Sequence, residues 1–353
     1  MRNFLLFLAH ITGLLKFYRY LNRKNITIIL LHGVVNHKKP KVYEPLRSQL
    51  SLEDFHSSLD LIAEYYNFIS MDHAVRIIKG EEKWQPYSVV LTFDDGYRNN
   101  LTEAAPILQK MNIPLTIYLT TGLITRREPM WVDRMDYSFK QLTSPNLTFQ
   151  LSNHKLSLSG KTLEQKASSF KQFRNQAKRI ACNDYEFQFF MQETNKELEQ
   201  LAKARLVDIW EKDDFSVLLN ADEVRAFKSA TYGSHTVNHS RVSLLNSAEI
   251  LEELKNSKQE VEAWTENQCH HFAYPDGRHD RKSQSLVAKA GYLSAATADE
   301  GLNKPGCDPY TLKRISFPIV HSKHDLLARM CGFSILLSRT KTRTLAIVRN
   351  IRP

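Results

Sequence analysis

The sequence is poor in cysteine, and this scarcity excludes two classes of small protein. Its 353 residues include four cysteines, Cys182, Cys269, Cys307 and Cys331. They are widely scattered, and none of their spacings marks a disulfide framework or a zinc knuckle. We therefore expect four free thiols. With 42% apolar residues, a chain of this length can instead be stabilised by a large hydrophobic core.

The apolar run near the start of the chain is too short to span a membrane. It extends from Phe4 to Leu15, whereas a spanning helix needs about 20 residues, and no small-residue cleavage site follows it. We expect residues 1–24 to form an amphipathic, basic segment that lies in the plane of a membrane interface. A helix packed on the domain and an uncleaved anchor are the alternatives.

Acidic residues are scarce at both ends of the chain. Residues 1–48 contain nine Lys and Arg but one acid, and residues 313–353 show the same ratio, so the chain between them is net acidic despite the overall charge of +10. Basic residues beside apolar segments favour an anionic membrane surface, each contributing about 1 kcal/mol. Nucleic acid is the competing partner, but we expect none because no nucleic-acid-binding motif accompanies the charge.

Two adjacent carboxylates end a predicted buried strand. The apolar run Ser88–Phe93 stops at Asp94 and Asp95, and Gly96 follows. Neighbouring carboxylates raise each other's pKa unless a cation lies between them or one of them is used as a base. A solvated Asp-Gly turn is the alternative.

Two histidines further along the chain complete a possible metal site. His235 and His239 follow a short predicted strand, at the spacing that places both imidazoles on one face of a helical turn. One carboxylate and two such histidines would make a three-ligand catalytic metal site with a position open for water. A pair of surface histidines is the alternative.

Three motifs, in order, carry a resemblance to a known family. Thr92-Phe93-Asp94-Asp95-Gly96-Tyr97, His235-Thr236-Val237-Asn238-His239-Ser240 and Phe272-Ala273-Tyr274-Pro275-Asp276-Gly277 resemble the successive motifs of the polysaccharide deacetylases, which include chitooligosaccharide and peptidoglycan N-deacetylases. The resemblance covers about Asn25 to Val320. It implies an α/β fold, an irregular (β/α) barrel with fewer than eight regular units, and the predicted strand–helix–strand rhythm agrees with it.

The resemblance also implies roles for individual residues. Asp95, His235 and His239 would bind a divalent metal, with Zn²⁺ the expected ion, and Asp94 would take a proton from the attacking water. The backbone N–H of Asp276 would face the oxyanion. The expected substrate contacts are Tyr97, Tyr274, Pro275, His32 and Trp131, the last two by resemblance to motifs of exopolysaccharide-type relatives. A hydrogen-bonded structural role is the alternative for His32.

The sequence departs from the family pattern at two places. Ala273 stands where many relatives carry an arginine that braces the catalytic base, and Arg314 is the candidate replacement, with Asp308 as an ion-pair partner. Both could equally be surface residues. The late Leu-x-His motif that supplies the general acid has no clear match. His321 is the candidate, with His279 and His32 in reserve.

The predicted domain organisation has three parts. Residues 1–24 form the amphipathic segment, residues 25–321 the deacetylase domain, and residues 322–353 a C-terminal amphipathic helix with a basic tail. An insert at about 129–225 contains a predicted β-hairpin. Charged helices are predicted over its stretch 161–210, because that stretch lacks Pro and Gly. We expect the insert beside the substrate groove, and a solvated cap without sugar contacts is the alternative.

Taken together, the sequence predicts a metal-dependent hydrolase that removes N-acetyl groups from amino sugars of a bacterial surface polysaccharide or its lipid-linked precursor. One alternative keeps the site but cleaves O-acetyl esters or other carbon–nitrogen bonds. A second is a catalytically inactive relative that binds glycan or a synthase, which the absent arginine favours and the intact metal motif opposes. The expected location is the cytoplasm or the periphery of the inner membrane.

Overall fold

The computed structural model describes residues 2–39, 41–317 and 322–337 of the chain. The strands are β1 (Thr27–Leu31), β2 (Val34–Val35), β3 (Leu50–Ser51), β4 (Asn67–Phe68), β5 (Ser88–Phe93), β6 (Leu115–Leu119), β7 (Asn146–Leu151), β8 (His154–Ser159), β9 (Ala230–Ser234), β10 (His271–Ala273), β11 (Ser294–Glu300) and β12 (Leu312–Ser316). The helices are α1 (Arg2–Ile11), α2 (Leu14–Leu21), α3 (Leu52–Ala63), α4 (Met71–Lys79), α5 (Ala105–Lys110), α6 (Thr121–Arg126), α7 (Trp131–Gln141), α8 (Leu163–Ile180), α9 (Asp184–Ala202), α10 (Ala221–Ala226), α11 (Ser247–Thr265), α12 (Arg281–Lys289) and α13 (Lys323–Met330).

Seven parallel strands form a closed barrel surrounded by helices. The order around the ring is β1, β12, β11, β10, β9, β6 and β5, and β5 closes it by pairing with β1 from Thr27–Val89 to Leu31–Phe93. The short β4 adds a parallel pairing at the start of β5. The predicted irregular barrel with fewer than eight regular units is confirmed. Because the strands are parallel, their C-terminal ends meet at one end of the barrel.

The barrel strands are apolar because both of their faces are covered. Every residue of β1, β5 and β6 is buried, as expected for parallel strands packed between a barrel interior and an outer layer of helices. Helix α3 also buries an apolar stripe. Phe55, Leu59 and Ile62 are fully buried, and Ser51 caps the helix by accepting from the Asp54 N–H.

The insert lies between β6 and β9 in sequence and contains the predicted hairpin and helices. β7 and β8 pair antiparallel from Asn146–Ser159 to Leu151–His154. α8 packs on β8 and α9 packs on α7, and a capping box at Thr162 starts α8. Aromatic rings fill the space between these elements, with Phe173 in contact with both Phe149 and Phe190.

The two ends of the described chain pack on each other. Leu6, Ala9 and Leu15 of α1 and α2 are buried with residues of α13. Among the described residues, no single helix is long and apolar enough to cross a membrane. Only α1 and α2 together meet that test, and they are bent by 76°. The C-terminal helix predicted to begin at Ser322 is present but interrupted: α13 ends at Met330, Gly332 has a φ of 80°, and residues 333–337 are helical again. The basic tail, 339–352, lies outside the described residues.

Candidate active site

The candidate site lies at the C-terminal end of the barrel. Asp94 and Asp95 follow β5, His32 follows β1, His235 follows β9, and Asp276 lies in the turn after β10. All five line one cavity of about 860 Å³. Separate strands therefore bring together side chains that are far apart in the sequence, as the parallel barrel requires.

The two aspartates sit in a sharp turn that buries both carboxylates. Asp95 and Gly96 both adopt left-handed backbone conformations, with φ of 74° and 82°. Such a conformation is uncommon for a residue other than glycine and marks strained functional turns. The Asp94 N–H donates to Leu31 O at 2.9 Å. Asp94 and Asp95 are 3% and 5% exposed, so each carboxylate needs a compensating charge. The solvated-turn alternative is thus wrong.

Arg314 supplies the compensating charge for Asp94. Its two terminal nitrogens donate to the two Asp94 oxygens at 2.7 Å each, and its Nε donates to Thr297 O. Burial alone would raise the pKa of Asp94, but the charge and hydrogen bonds of Arg314, with His235 nearby, lower it to about 2. Asp94 is therefore a carboxylate at neutral pH.

The ion pair with Asp94 corrects the expected surroundings of Arg314. Arg314 is buried and pairs with Asp94, so the surface alternative and the Asp308 partner are both wrong. Asp308 instead accepts from the Tyr310 N–H. The position where many relatives carry the bracing arginine holds Ala273, which packs with Tyr118. The Arg314 guanidinium lies 5.8 Å from the centre of the Tyr118 ring. The catalytic role of Arg314 stays a prediction.

Asp95, His235 and His239 converge as a donor set for a divalent cation. Asp95 Oδ1 lies 3.5 Å from His235 Nε2 and 3.4 Å from His239 Nε2, and the three donor atoms lie within 4.8 Å of one another. Asp95 Oδ1 is buried and has no hydrogen-bond partner among the described residues. An orphaned buried carboxylate oxygen facing two imidazoles fits a bound cation.

Protonation states also favour a cation at this site. His235 Nδ1 lies 2.8 Å from Ala273 O, and because a carbonyl only accepts, Nδ1 carries the proton and Nε2 is free. Burial and the nearby His235 lower the pKa of His239 to about 3, so its ring is neutral. Burial, together with the adjacent Asp94 carboxylate, raises the pKa of Asp95 to about 6. Neutral imidazoles and an ionised carboxylate are the ligands that Zn²⁺ binds.

The loop between the two histidines is not the helical turn that their spacing suggested. Thr236 and His239 have φ of 67° and 56°, outside the right-handed helical range. Glu253 of α11 holds this loop by accepting from the N–H groups of Val237 at 2.7 Å and Asn238 at 3.2 Å. It also accepts from Ser240 Oγ. The two imidazoles lie close together because contacts from α11 hold the loop in this conformation.

Asp276 lies in the expected turn but has a second contact. Its φ is 55°, and its N–H makes no backbone hydrogen bond within the described residues, as an oxyanion donor requires. Its side chain forms an ion pair with Lys178 of α8. Burial would raise the pKa of Asp276, but Lys178 outweighs this and the pKa falls to about 2. This ion pair was not predicted from the sequence.

The structure separates the remaining candidates into two groups. His32 and Trp131 line the cavity. Tyr97, Tyr274 and Pro275 are buried and are not among its lining residues, and their substrate contacts stay predictions. The Tyr97 hydroxyl donates to Asp133 at 2.8 Å, and that of Tyr274 donates to Tyr310 O at 3.1 Å. These hydroxyls need buried acceptors, which makes the residues structural supports.

His279, also considered for the general acid, does not line the described cavity. Its ring nitrogens contact Asp299 and Gln284. His321 lies outside the described residues. Four basic residues that were not predicted do line the cavity: Arg47, Lys171, Arg174 and Lys178. The three- and four-residue steps from Lys171 to Lys178 were the available signal.

Comparisons with known proteins agree with this geometry. Residues 82–295, more than half of the chain, match the family model for polysaccharide deacetylase. A Streptococcus pyogenes deacetylase, PplD, in complex with acetate is 19% identical, with a TM-score of 0.51 over 87% of this chain and 98% of that one. IcaB from Ammonifex degensii is 14% identical, with a TM-score of 0.54 over 87% and 97%.

A further solved structure shares the fold. A de-N-acetylase from Aggregatibacter actinomycetemcomitans is 15% identical, with a TM-score of 0.52 over 87% of this chain and 99% of that one. No curated protein matches the sequence. At such identities the solved structures are evidence for the fold alone, whereas the family model identifies the motifs themselves.

Proposed function

We propose a specific reaction from the premise that the chain belongs to the polysaccharide deacetylase family, whose members are hydrolases of carbon–nitrogen bonds. The reaction is metal-dependent removal of N-acetyl groups from amino sugars of a bacterial surface polysaccharide or its lipid-linked precursor. The observation that carries this proposal is the meeting of Asp95, His235 and His239 beside the Arg314-bound Asp94 in one cavity.

The residues of the chain divide the chemical work of amide hydrolysis. A divalent cation held by Asp95, His235 and His239, with Zn²⁺ expected, supplies Lewis acidity that activates water and polarises the acetyl carbonyl. Asp94, kept anionic by Arg314, accepts the proton of the attacking water. The N–H of Asp276 donates to the oxyanion. The lowered pKa of Asp94 suits its proposed role as the proton acceptor.

The departing amine needs a proton, and its donor is the open part of the mechanism. His32 lines the cavity. Burial lowers its pKa, with Arg314 adding to this and Asp94 opposing it, so its ring would have to take up a proton in the reaction before donating one. We propose His32 as the donor among the described residues, beside the original candidate His321. A rival activity on O-acetyl esters needs no such donor, because an alkoxide leaves more readily than an amide nitrogen.

The N-terminal helices support a location at a membrane surface. The side chains of Phe4, Phe7, Phe17 and Leu21 are exposed, and residues 1–24 carry five basic and no acidic side chains. An exposed apolar face flanked by positive charge suits the interface of an anionic bilayer. We propose a peripheral membrane contact through α1 and α2, consistent with a substrate made at the inner membrane.

The test is metal content and acetate release on the same purified samples. Wild type, Asp95→Ala, His239→Ala and, as a matched control, His279→Ala are compared with N-acetylglucosamine oligomers as substrate. We expect about one zinc per chain and acetate release in wild type and in the control, and loss of both in the two ligand variants.

Two other results would change the assignment. Acetate released from O-acetylated but not from N-acetylated sugars would assign an esterase. No metal uptake in any sample, even with zinc supplied, would overturn metal dependence and favour the inactive glycan-binding alternative.

A further inference from the structure

One face of α8 presents positive charge to the active-site cavity. Lys171, Arg174 and Lys178 all line it, and their three- and four-residue spacing places them on one side of the helix. We call these three residues the α8 basic face. Arg47, from the segment before β3, lines the same cavity.

Most charges of the cavity are already paired, and two are not. Arg314 binds Asp94, Lys178 binds Asp276, and Arg47 contacts Asp133 and Asp136, with Nε of Arg47 3.5 Å from an Asp136 oxygen. The third acid in the wall, Asp95, belongs to the metal donor set. These pairs leave the side chains of Lys171 and Arg174 without a carboxylate within 4 Å among the described residues.

Arg174 shows most clearly that a partner is missing. Its Nε is buried without a hydrogen-bond partner among the described residues, and its guanidinium stacks 4.8 Å from the centre of the Phe170 ring. Burial, followed by repulsion from Arg47, lowers its pKa to about 10, so it remains charged at neutral pH. A partly buried positive charge with no carboxylate within 4 Å is unfavourable, and an incoming anion would relieve that cost.

The chemistry of the unpaired groups indicates what they recognise. A guanidinium matches the paired oxygens of a phosphate or carboxylate, and an adjacent ammonium adds a second donor. Neutral sugar hydroxyls need no such concentration of cations. Because Lys178 also holds Asp276, the α8 basic face begins at the proposed oxyanion turn and continues away from it along the helix.

We propose, building on the N-deacetylase function proposed above, that the α8 basic face is a subsite for an anionic group carried by the N-acetylated glycan. The group is a phosphate or a carboxylate close to the reacting acetamido sugar. The insert then selects anionic glycans over neutral ones through Lys171 and Arg174, while Lys178 connects that subsite to Asp276.

The test compares deacetylation of three matched substrates. They are the neutral N-acetylglucosamine trisaccharide, the same trisaccharide phosphorylated at its reducing end, and a trisaccharide that contains N-acetylmuramic acid as the carboxylate. Wild type is expected to show a kcat/KM at least tenfold higher for one anionic substrate than for the neutral one, since a hydrogen bond to a charged group contributes about a tenfold factor or more. The preferred anion distinguishes phosphate from carboxylate.

Variants assign the preference to the helix. Arg174→Gln and, separately, Lys171→Gln should reduce the ratio of anionic to neutral kcat/KM about tenfold. Arg179→Gln is the control, because Arg179 is exposed on the same helix and does not line the cavity. No anionic preference in wild type, or equal ratios in the Arg174 and Arg179 variants, would overturn the subsite while leaving the N-deacetylase function intact.

A separate measurement covers the case in which no substrate releases acetate. That result would count against the proposed function, and the subsite would then be judged by calorimetric binding of the phosphorylated, carboxylate and neutral trisaccharides. Tighter binding of one anionic sugar, weakened in Arg174→Gln but not in Arg179→Gln, supports the subsite. Equal affinities for the three sugars overturn it.

Discussion

Arg314 and Asp94 stand 220 positions apart in the sequence, yet they form a two-point ion pair inside the barrel. β1 lies between their strands in the ring, and Arg314 reaches across it. A buried carboxylate without this partner would have a raised pKa and would be a poorer acceptor for the proton of water. One guanidinium therefore sets the protonation state of the proposed base.

We expect Arg314→Lys to keep the charge but lose the paired geometry. A lysine ammonium cannot form the two parallel hydrogen bonds, so kcat/KM for acetate release should fall about 10- to 100-fold. Metal content should stay at the wild-type value, because Arg314 contacts none of the proposed ligands. Arg314→Gln, which also removes the charge, should fall further. Activity in Arg314→Lys equal to wild type would show that Asp94 needs no paired donor.

A second residue-scale prediction concerns stability at low pH. His271 of β10 lies 3.0 Å from Asp72 of α4, and this hydrogen bond, against the effect of partial burial, lowers the pKa of Asp72 to about 2 from 3.8. A carboxyl whose folded pKa lies below its unfolded pKa stabilises the fold above about pH 4 and loses that contribution as the pH falls towards 2.

Asp72→Asn should therefore lower the free energy of unfolding by about 1 kcal/mol at pH 6, after allowance for solvent screening. The difference from wild type should shrink as denaturant titrations are taken from pH 6 to pH 3. Asp222→Asn, at an exposed position, provides the control. If Asp72→Asn stays less stable than wild type by the same amount from pH 6 to pH 3, the contact between His271 and Asp72 is not the cause of that difference.

At the scale of elements, two helices hold the loop that carries two of the proposed metal ligands, His235 and His239. The first turn of α6 donates from Thr121 and Gly122 to the carbonyls of Thr236 and Val237 at 3.1 and 2.9 Å. A Cβ on Gly122 would lie 2.5 Å from a methyl carbon of Val237, so this close approach requires glycine. Glu253 of α11 also holds the loop, because it accepts from the N–H groups of Val237 and Asn238. The two imidazoles depend on both helices for their positions.

Glu253→Gln should weaken metal binding without removing a ligand. The amide carries one acceptor oxygen in place of two charged ones, so some loop N–H and hydroxyl donors lose their partner. The loss should lower metal affinity about 10- to 100-fold, the range expected for groups that orient ligands. Competition with a chelator measures the affinity, and excess zinc should restore acetate release. Glu252→Gln, at the adjacent exposed position, should match wild type, and equal affinity in both variants would contradict the prediction.

At the scale of the whole molecule, α2 and the active site lie at opposite ends of the barrel. Arg19 contacts Tyr65 O and the ring of Tyr87, and Tyr87 directly precedes β5. Asp94 and Asp95 directly follow that strand. A membrane bound by α2 would then lie nearer the N-terminal ends of the strands than the cavity does, which favours a glycan long enough to extend away from the bilayer.

The proposed membrane contact can be measured with vesicles. Phe4→Ser with Phe17→Ser should reduce binding to vesicles containing anionic lipid more than tenfold, because each buried phenylalanine contributes about 1.5–3 kcal/mol. Binding of wild type should also fall with rising salt. Tyr185→Ser, which changes an exposed aromatic residue of α9, is the control. Equal sedimentation of all three proteins with the vesicles would remove α1 and α2 as the contact.

In the folded molecule, not all basic residues near the two ends of the sequence lie on the surface. Arg47 and Arg314 counted towards the basic termini in the sequence, but both are directed into the cavity and pair with buried acids. Of the five basic residues among the first 24, Arg2 pairs with Asp325 and Arg19 contacts Tyr65 O, which leaves three for the proposed membrane contact. A composition count cannot separate these groups, because burial depends on where the strands and helices come to lie.

The sequence alone was enough to predict the strands that precede Asp94 and His235, the order of the motifs and the donor set of Asp95, His235 and His239. These features are local, because an apolar run that stops at chemically distinctive residues is visible without knowledge of its neighbours. Closure of the barrel decided the rest. It brought Arg314 to Asp94 and buried Tyr97 and Tyr274 against acceptors from other segments. In the same folded structure, α8 lies against the cavity. Contacts between distant segments depend on strand order and register, which no local pattern specifies.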